Sequence, residues 1–223
     1  MKTLFVLQRQ PLREQEWLLD IFSAEQGRLS VVAGRSQPQP DLHQRYQGDW
    51  ARAEDWPQLR GLRSLQRYTL PGQHIYCGLY LAELLGRLLP RHDPQPELFL
   101  TYARTLEGLQ HPGLPDPWLR LFEYQLLQAL GYGFSWQQDR DGRPVDAAEF
   151  YRFIAREGFV RADASVAPAQ KQPLFSGEYL LELGQGRAQR PQCWAAAKQV
   201  LRCALEDLLE RPLISRELFQ PGR

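Results

Sequence analysis

The first 70 residues alternate between short apolar runs and turn-forming clusters, and this pattern constrains the fold more than anything else in the chain. "TLFVLQ", "EWLLDIF" and "RLSVVAG" are followed by the weaker "DWARA" and by "LRSLQRYTL", with Gly, Pro and polar residues between them. Such runs are too short for helices and read as strands. Five of them at this spacing predict a small barrel or sandwich. The stretch from Leu18 to Tyr46 contains the main joint. One apolar run ends at Phe22, a polar turn ends at Gly27, and a second run ends at Gly34. An exposed loop follows, holding Arg35, a Gln/Pro patch at 37–40, and Arg45 at its close.

The texture changes at Pro71-Gly72, a turn signal. From His74 to Leu89 apolar residues fall at 75, 79, 82, 85, 88 and 89, which is helical spacing, and Pro90 stops the run. A second helix restarts near Pro96, with apolar positions 98, 99, 102, 106 and 109. The third, "PDPWLRLFEYQLLQALGYG", has Asp116 as N-cap, Pro117 at the first helical position and Gly131 after its last turn. Its apolar stripe is 118, 119, 122, 126, 129 and 130. Residues 132–190 are irregular. Asp146 and Glu149 suggest a capping box, whereas the aromatics around "REG" suit a hairpin, so 146–161 reads either way. "SGEYLLELGQG" reads as a short helix capped by Ser176, and "QCWAAAKQVLRCALEDLLE" as a terminal helix closed by Pro212.

Net charge is +1, which excludes a global field for polyanions. The first 70 residues are the basic part, with ten Lys/Arg against eight Asp/Glu. Cys77, Cys193 and Cys203 are scattered, with no CxxC spacing, so neither a disulfide framework nor a zinc site is signalled. That suits a reducing cytoplasm. The N-terminal apolar run, Leu4 to Leu7, is too short for a signal peptide or a membrane span.

Four segments carry a resemblance. "FVLQRQPLREQEWLLDIFSAEQGRLSVVAGRSQ", "YCGLYLAELLGRLLP", "LRLFEYQLLQALGYG" and "RPLISRELF" occur in the order found in the RecO family of recombination mediators, and together they span most of the chain. The resemblance implies an α+β protein. A five-stranded OB-fold barrel at 1–72 binds single-stranded DNA, and a mainly helical domain at 73–223 carries an irregular insert at about 132–190. It implies a nucleoid-associated protein that binds single- and double-stranded DNA and anneals complementary strands. It further implies RecR and the C-terminal tail of single-stranded DNA-binding protein (SSB) as partners, RecA indirectly, and no membrane, cofactor or nucleotide hydrolysis. Two departures stand out. Some relatives hold a four-cysteine zinc site in the insert, but residues 132–190 contain no cysteine here, so no zinc is expected. The loop after the third strand is often rich in Lys and Arg, and here it holds only Arg35 and Arg45.

Arg9, Arg13, Arg28, Arg35 and Arg45 are the candidate phosphate contacts. On a barrel they could converge on one rim, where guanidinium groups grip phosphates through paired hydrogen bonds. The plainer reading is a solvated surface near Glu14, Glu16 and Glu25. Trp17, Tyr46, Trp50 and Trp56 are candidate rings for stacking bases, and Tyr46, bordering the polar loop, is taken into the site. Core or rim packing is the plainer role for each ring. The resemblance places the SSB-tail contact at Arg120, expected at the edge of the third helix's stripe, with Leu119, Leu81, Leu84 and Leu85 lining a groove. An ordinary surface arginine is the alternative there.

No GxxxxGK[ST], HExxH or GxSxG motif occurs, and the four histidines lack ligand spacing. The reading is therefore a protein that binds DNA and other proteins, not an enzyme. A metal-dependent nuclease, or an adaptor whose barrel has lost DNA affinity, are the other classes.

Overall fold

The computed structural model describes residues 1–35, 39–51, 56–162 and 173–218. Gln37 and Pro38 of the loop patch, and Arg52 and Ala53 of the weak "DWARA" run, lie outside the described residues. The elements are β1 (Lys2–Arg13), β2 (Glu16–Ser23), β3 (Gly27–Gly34), β4 (Gln44–Trp50) and β5 (Leu59–Arg67), then α1 (His74–Leu88), α2 (Pro96–Gly108) and α3 (Asp116–Ala129). After them come β6 (Phe150–Ile154), β7 (Gly158–Arg161), β8 (Phe175–Ser176), α4 (Gly177–Gly184), α5 (Pro191–Glu206) and α6 (Ile214–Glu217).

The first five strands form one antiparallel sheet in the order β3-β2-β1-β4-β5. Alternation along each strand sends Leu4, Val6, Leu19, Ile21, Leu29, Val31, Tyr46, Trp50 and Leu59 to a common interior. The sheet curls until its outermost strands touch. The Val32 N–H donates to the Pro57 carbonyl at 2.9 Å, and Val32 bridges Gln58 in parallel. This is the strand order of an OB barrel. Among the described residues the two edges meet at that bridge rather than along a ladder, so the expected barrel is a partly open, OB-like sheet.

The opposite side of β1 and β2 is also apolar, and α2 covers it. Phe5 packs on Tyr102 at 4.8 Å and Phe99 at 5.0 Å, and Phe22 meets Phe99 at 5.4 Å between ring centroids. Burying each phenylalanine contributes roughly 1.5–3 kcal/mol, and each ring pair about 0.5–1.5 kcal/mol more. Strand and helix textures therefore divide at Pro71-Gly72, but packing units do not. One unit comprises Met1–Phe122 with Arg211–Arg223, and the other Glu123–Glu210.

Within the first unit, the α1–α2 connection is stitched to the β2–β3 hairpin. Gly27 has φ +70°, and a Cβ there would fall 2.2 Å from the Asp93 carbonyl oxygen. The Arg28 carbonyl accepts the His92 N–H at 2.9 Å. Its guanidinium pairs with Asp20 at 2.8 Å and donates to the Leu89 carbonyl at 3.1 Å. Residues 211–215 are held by α1. The Glu83 carboxylate accepts the Ile214 and Ser215 N–H groups at 2.9 and 2.8 Å, and Arg87 donates to the carbonyls of Arg211 and Pro212.

The helix faces differ in part from the periodic reading. In α2 the expected residues Leu98, Phe99, Tyr102, Leu106 and Leu109 are all buried. In α1 the buried face runs through Cys77, Gly78, Leu81, Leu84 and Leu85, while Ile75 points outward. Gly78 turns this face because the His43 ring lies where its Cβ would be, 2.4 Å from Nε2. In α3 Trp118 is partly exposed and the buried stripe includes Arg120 and Glu123.

In the second unit, residues 150–161 are a hairpin, pairing Tyr151 with Arg161 and Phe153 with Phe159. Asp146 does not cap a helix. Its carboxylate accepts the Ala148 N–H at 2.9 Å, a local turn. Ser176 takes the N-cap position of α4 without a side-chain capping bond. Phe134 meets Phe153 at 4.8 Å and Trp136 at 4.9 Å, and Phe153 meets Phe159 at 5.2 Å. Aromatic packing holds this segment together. Among the described residues no three His, Cys, Asp or Glu side chains gather as metal ligands.

Candidate nucleic-acid interface

Of the five candidate arginines, the fold brings Arg9, Arg13 and Arg35 to one end of the sheet. The register pairs Arg9 with Leu19, Pro11 with Trp17 and Arg13 with Glu16, and Glu16 with Gly34. Trp17 thus follows the interior row out to the rim. The Arg9 and Arg35 guanidinium carbons lie over its ring, 4.8 and 4.3 Å from the centroid. Cation–π contacts of this kind contribute about 0.5–1 kcal/mol each at exposed sites, enough to orient two guanidinium groups. Arg9 also donates to the Pro40 carbonyl at 3.1 Å, and the Arg35 N–H to the Gln15 carbonyl at 2.9 Å. Neither side chain forms an ion pair among the described residues. Arg13 sits at the hairpin tip and meets Glu16 at 3.3 Å.

The remaining candidates go elsewhere. Arg28 lies at the other end of β3, its guanidinium engaged by Asp20 and Leu89. Arg45 stands opposite Phe5 and Gln66, on the sheet's outer face. Tyr46, its neighbour in sequence, faces inward and is 5% exposed. The Tyr46 hydroxyl accepts the Asp41 N–H at 2.7 Å and donates to Gln44 at 2.9 Å, and burial raises its pKa. It is a packing residue with no face open for stacking.

A groove of about 1180 Å³ opens beside the β2–β3 hairpin. Leu18, Leu29 and Ser30 line it, together with Trp50, Trp56 and Pro57. Arg91 and His92 close it from the α1–α2 connection, and Lys2 from the start of β1. Trp56 is 44% exposed. The Lys2 ammonium lies over the Trp50 ring at 4.5 Å, and the Trp50 Nε1–H donates to Gln26 at 2.7 Å. Arg91 donates to the Ser30 hydroxyl at 2.9 Å, and His92 holds a left-handed backbone with φ 59°. Gln10 and Leu18 also line the groove, one residue from Arg9 and Trp17. The OB ligand face lies on strands two and three, between the β1–β2 and β4–β5 loops. The groove occupies that face. Lys2, Arg91 and His92 escape sequence reasoning because they are distant from the strands they join. Pro90 marks a helix end but does not reveal what the next residues touch.

At the expected partner site, Arg120 is 7% exposed rather than at a stripe's edge. Leu119 is also 7% exposed, and Leu81, Leu84 and Leu85 are at 0%, so the α1 leucines are core rather than the walls of an open groove. The accessible apolar surface of α3 near Arg120 is Trp118 and Leu121, at 38% and 47%. Trp118 packs over Gly108, whose Cβ would come within 2.2 Å of its ring.

An OB-like sheet with a cationic rim and an aromatic groove, continued by helices, defines an α+β protein built on an OB-like module. Similarity to known proteins narrows that class. The family described as Recombination protein O C terminal matches residues 72–217. The chain is 38% identical over 226 residues to the DNA repair protein RecO of Pseudomonas aeruginosa (strain UCBPP-PA14), covering 96% of this chain and 92% of the relative. It is 38% identical to DNA repair protein RecO of Stutzerimonas stutzeri (strain A1501), covering 96% and 91%. With that of Azoarcus sp. (strain BH72) it shares 35% identity, covering 97% and 93%. The chain belongs to the RecO family. No described helix is long and apolar enough to cross a membrane.

Proposed function

We propose that this chain acts in DNA repair and recombination as a mediator that binds single-stranded DNA through its OB-like module. The observation that carries the reading is a pair of features on the first three strands and the β4–β5 connection. Arg9 and Arg35 are oriented over Trp17 for phosphates, and the groove offers Trp56 for bases. Residues 1–72 form the DNA module in this reading, and 73–223 carry the partner contacts. As in its family, the protein would anneal complementary strands and, with RecR and the SSB tail, help load RecA at the nucleoid in the cytoplasm. It assigns no catalytic centre. The SSB tail, acidic and ending in an apolar residue, is proposed to lie on Trp118 and Leu121, with the Arg120 guanidinium supplying the charge. Loss of tail-peptide binding in Trp118→Ala, with DNA binding retained, is the expected result.

The test of the DNA site is titration of an oligonucleotide across salt concentrations. Each lost phosphate contact removes about 0.7 from the log–log slope for single strands, so Arg9→Gln with Arg35→Gln should flatten it by roughly 1.4. An unchanged slope and affinity removes this rim from the interface. Arg13 and Arg28 are both ion-paired, which favours a protein-binding adaptor as the second reading. That reading expects no salt-dependent DNA binding at all.

A further inference from the structure

The outer face of β4 and β5 carries a feature that the groove and rim do not use. β5, "LRGLRSLQR", holds three arginines and no acid. On a regular strand Arg60 and Arg63, three residues apart, would point to opposite faces. They do not, because the ladder is interrupted twice. Asp49 pairs with Arg60 and Gln47 with Arg63, with a register shift between them at Gly61, which has φ +61°. Arg45 pairs with Gln66 across a second shift. Asp49, Gln47 and Arg45 are two apart on β4 and share a face. Arg60, Arg63 and Gln66 therefore share it as well. Bulges re-aim side chains, and here two of them convert a three-residue spacing into a single row.

The row is open and cationic. Arg60 and Arg63 are exposed, and neither forms an ion pair or a side-chain hydrogen bond among the described residues. Asp49 on this face is drawn to Lys2 at 3.7 Å, and the Glu25 carboxylate reaches its edge, accepting the Thr3 hydroxyl opposite Gln47 at 3.2 Å. Arg45 adds a third guanidinium, with its Nε buried and unbonded among the described residues. Gln47 and Gln66 supply amide donors between the charges. Successive pairs along the row are about 7 Å apart, two residues of strand rise, which suits the phosphate step of an extended nucleic-acid backbone. Guanidinium forks match phosphate oxygens in pairs. None of these residues lines the groove.

We propose that this face is a second site for single-stranded nucleic acid, so that one chain holds two strands at once. The proposal rests on the reading that the groove and rim take the first strand, and it supplies a physical basis for bringing complementary strands together. The experiment compares the full chain with Arg60→Gln/Arg63→Gln and with Arg60→Glu/Arg63→Glu, circular dichroism checking the fold. A short oligonucleotide, too small to span both faces, is titrated for stoichiometry, and annealing of complementary strands is timed. The expected result is two oligonucleotides bound by the parent chain and one by either variant. First-site affinity should stay within about twofold, and annealing should slow at least about tenfold as phosphate contacts are lost. Two bound oligonucleotides in both variants, or annealing at the parental rate, would overturn the second site alone. A parent chain that binds one oligonucleotide, weakened by the β5 changes, would replace it with a single continuous track. Binding of a polyglutamate peptide in place of DNA would make the face a protein-docking surface. A parent chain that binds no DNA would defeat both this proposal and the reading beneath it.

Discussion

Replacing Gly27 with alanine tests how the groove beside the β2–β3 hairpin is built. The residue has φ +70°, a left-handed conformation that costs an L-residue roughly 1–2 kcal/mol. The new methyl would also lie 2.2 Å from the Asp93 oxygen and 2.5 Å from its carbonyl carbon. Those are backbone atoms, so the α1–α2 connection must move, and overpacking of this kind costs about 1–3 kcal/mol. The expected destabilisation of Gly27→Ala is therefore roughly 2–5 kcal/mol. Gly61→Ala supplies the control. It has φ +61° with nothing within 4 Å of the added Cβ, so only the backbone cost applies, roughly 1–2 kcal/mol. Urea unfolding of both variants measures the difference. Because the displaced connection carries Arg91 and His92, Gly27→Ala should also weaken oligonucleotide binding in native buffer. Equal destabilisation by the two substitutions would refute the close approach to Asp93. Parental DNA affinity in Gly27→Ala would refute the role of Arg91 and His92 in the groove.

Arg28→Met should destabilise the fold by about 3–5 kcal/mol, because Asp20 is left partly buried without its partner; the salt slope of DNA binding should not change, and a flattened slope would return Arg28 to the interface. Glu83 is held below the usual carboxylate range: burial raises its pKa, but hydrogen bonds from Ser215 and Ile214, with Arg87 nearby, outweigh that. A depressed folded pKa means the stabilisation is present above the unfolded value and lost as pH falls through the folded one. Protection of the Ile214 and Ser215 amides from hydrogen exchange, relative to the intrinsic rate at each pH, should therefore fall in acid below the carboxylate range. Glu83→Gln should show the lower protection already at neutral pH; protection that ignores both changes would show that Glu83 does not hold α6. Trp17→Leu should preserve the apolar interior yet weaken DNA binding several-fold, since each cation–π contact that orients Arg9 and Arg35 is worth about 0.5–1 kcal/mol; fluorescence titration reads it, and unchanged affinity would make the ring dispensable.

What the sequence determined by itself was local. Apolar runs broken by Gly and Pro specify strands whatever lies beside them, so β1, β2, β3, β5 and the change at Pro71-Gly72 could be read directly, whereas β4 runs from Gln44 to Trp50, largely ahead of the weak "DWARA" run expected to form it. The stripe of α2 was legible because all five of its apolar positions are buried. Tertiary structure decided what depended on partners far along the chain. Arg9 and Arg28 look alike in sequence, but one lies over Trp17 and the other is tied to Asp20 and Leu89. Tyr46 borders a polar loop, yet strand parity turns it inward. Periodicity put Ile75 on the buried face of α1, but Gly78 lets His43 approach and rotates that face toward Cys77 and Leu81. Residues 146–161 suited a helix or a hairpin until Phe134 and Trp136 supplied a surface for Phe153 and Phe159. The row of Arg60, Arg63 and Gln66 exists only because two bulges reset the alternation, and a bulge is a property of two paired strands that one strand's sequence does not contain.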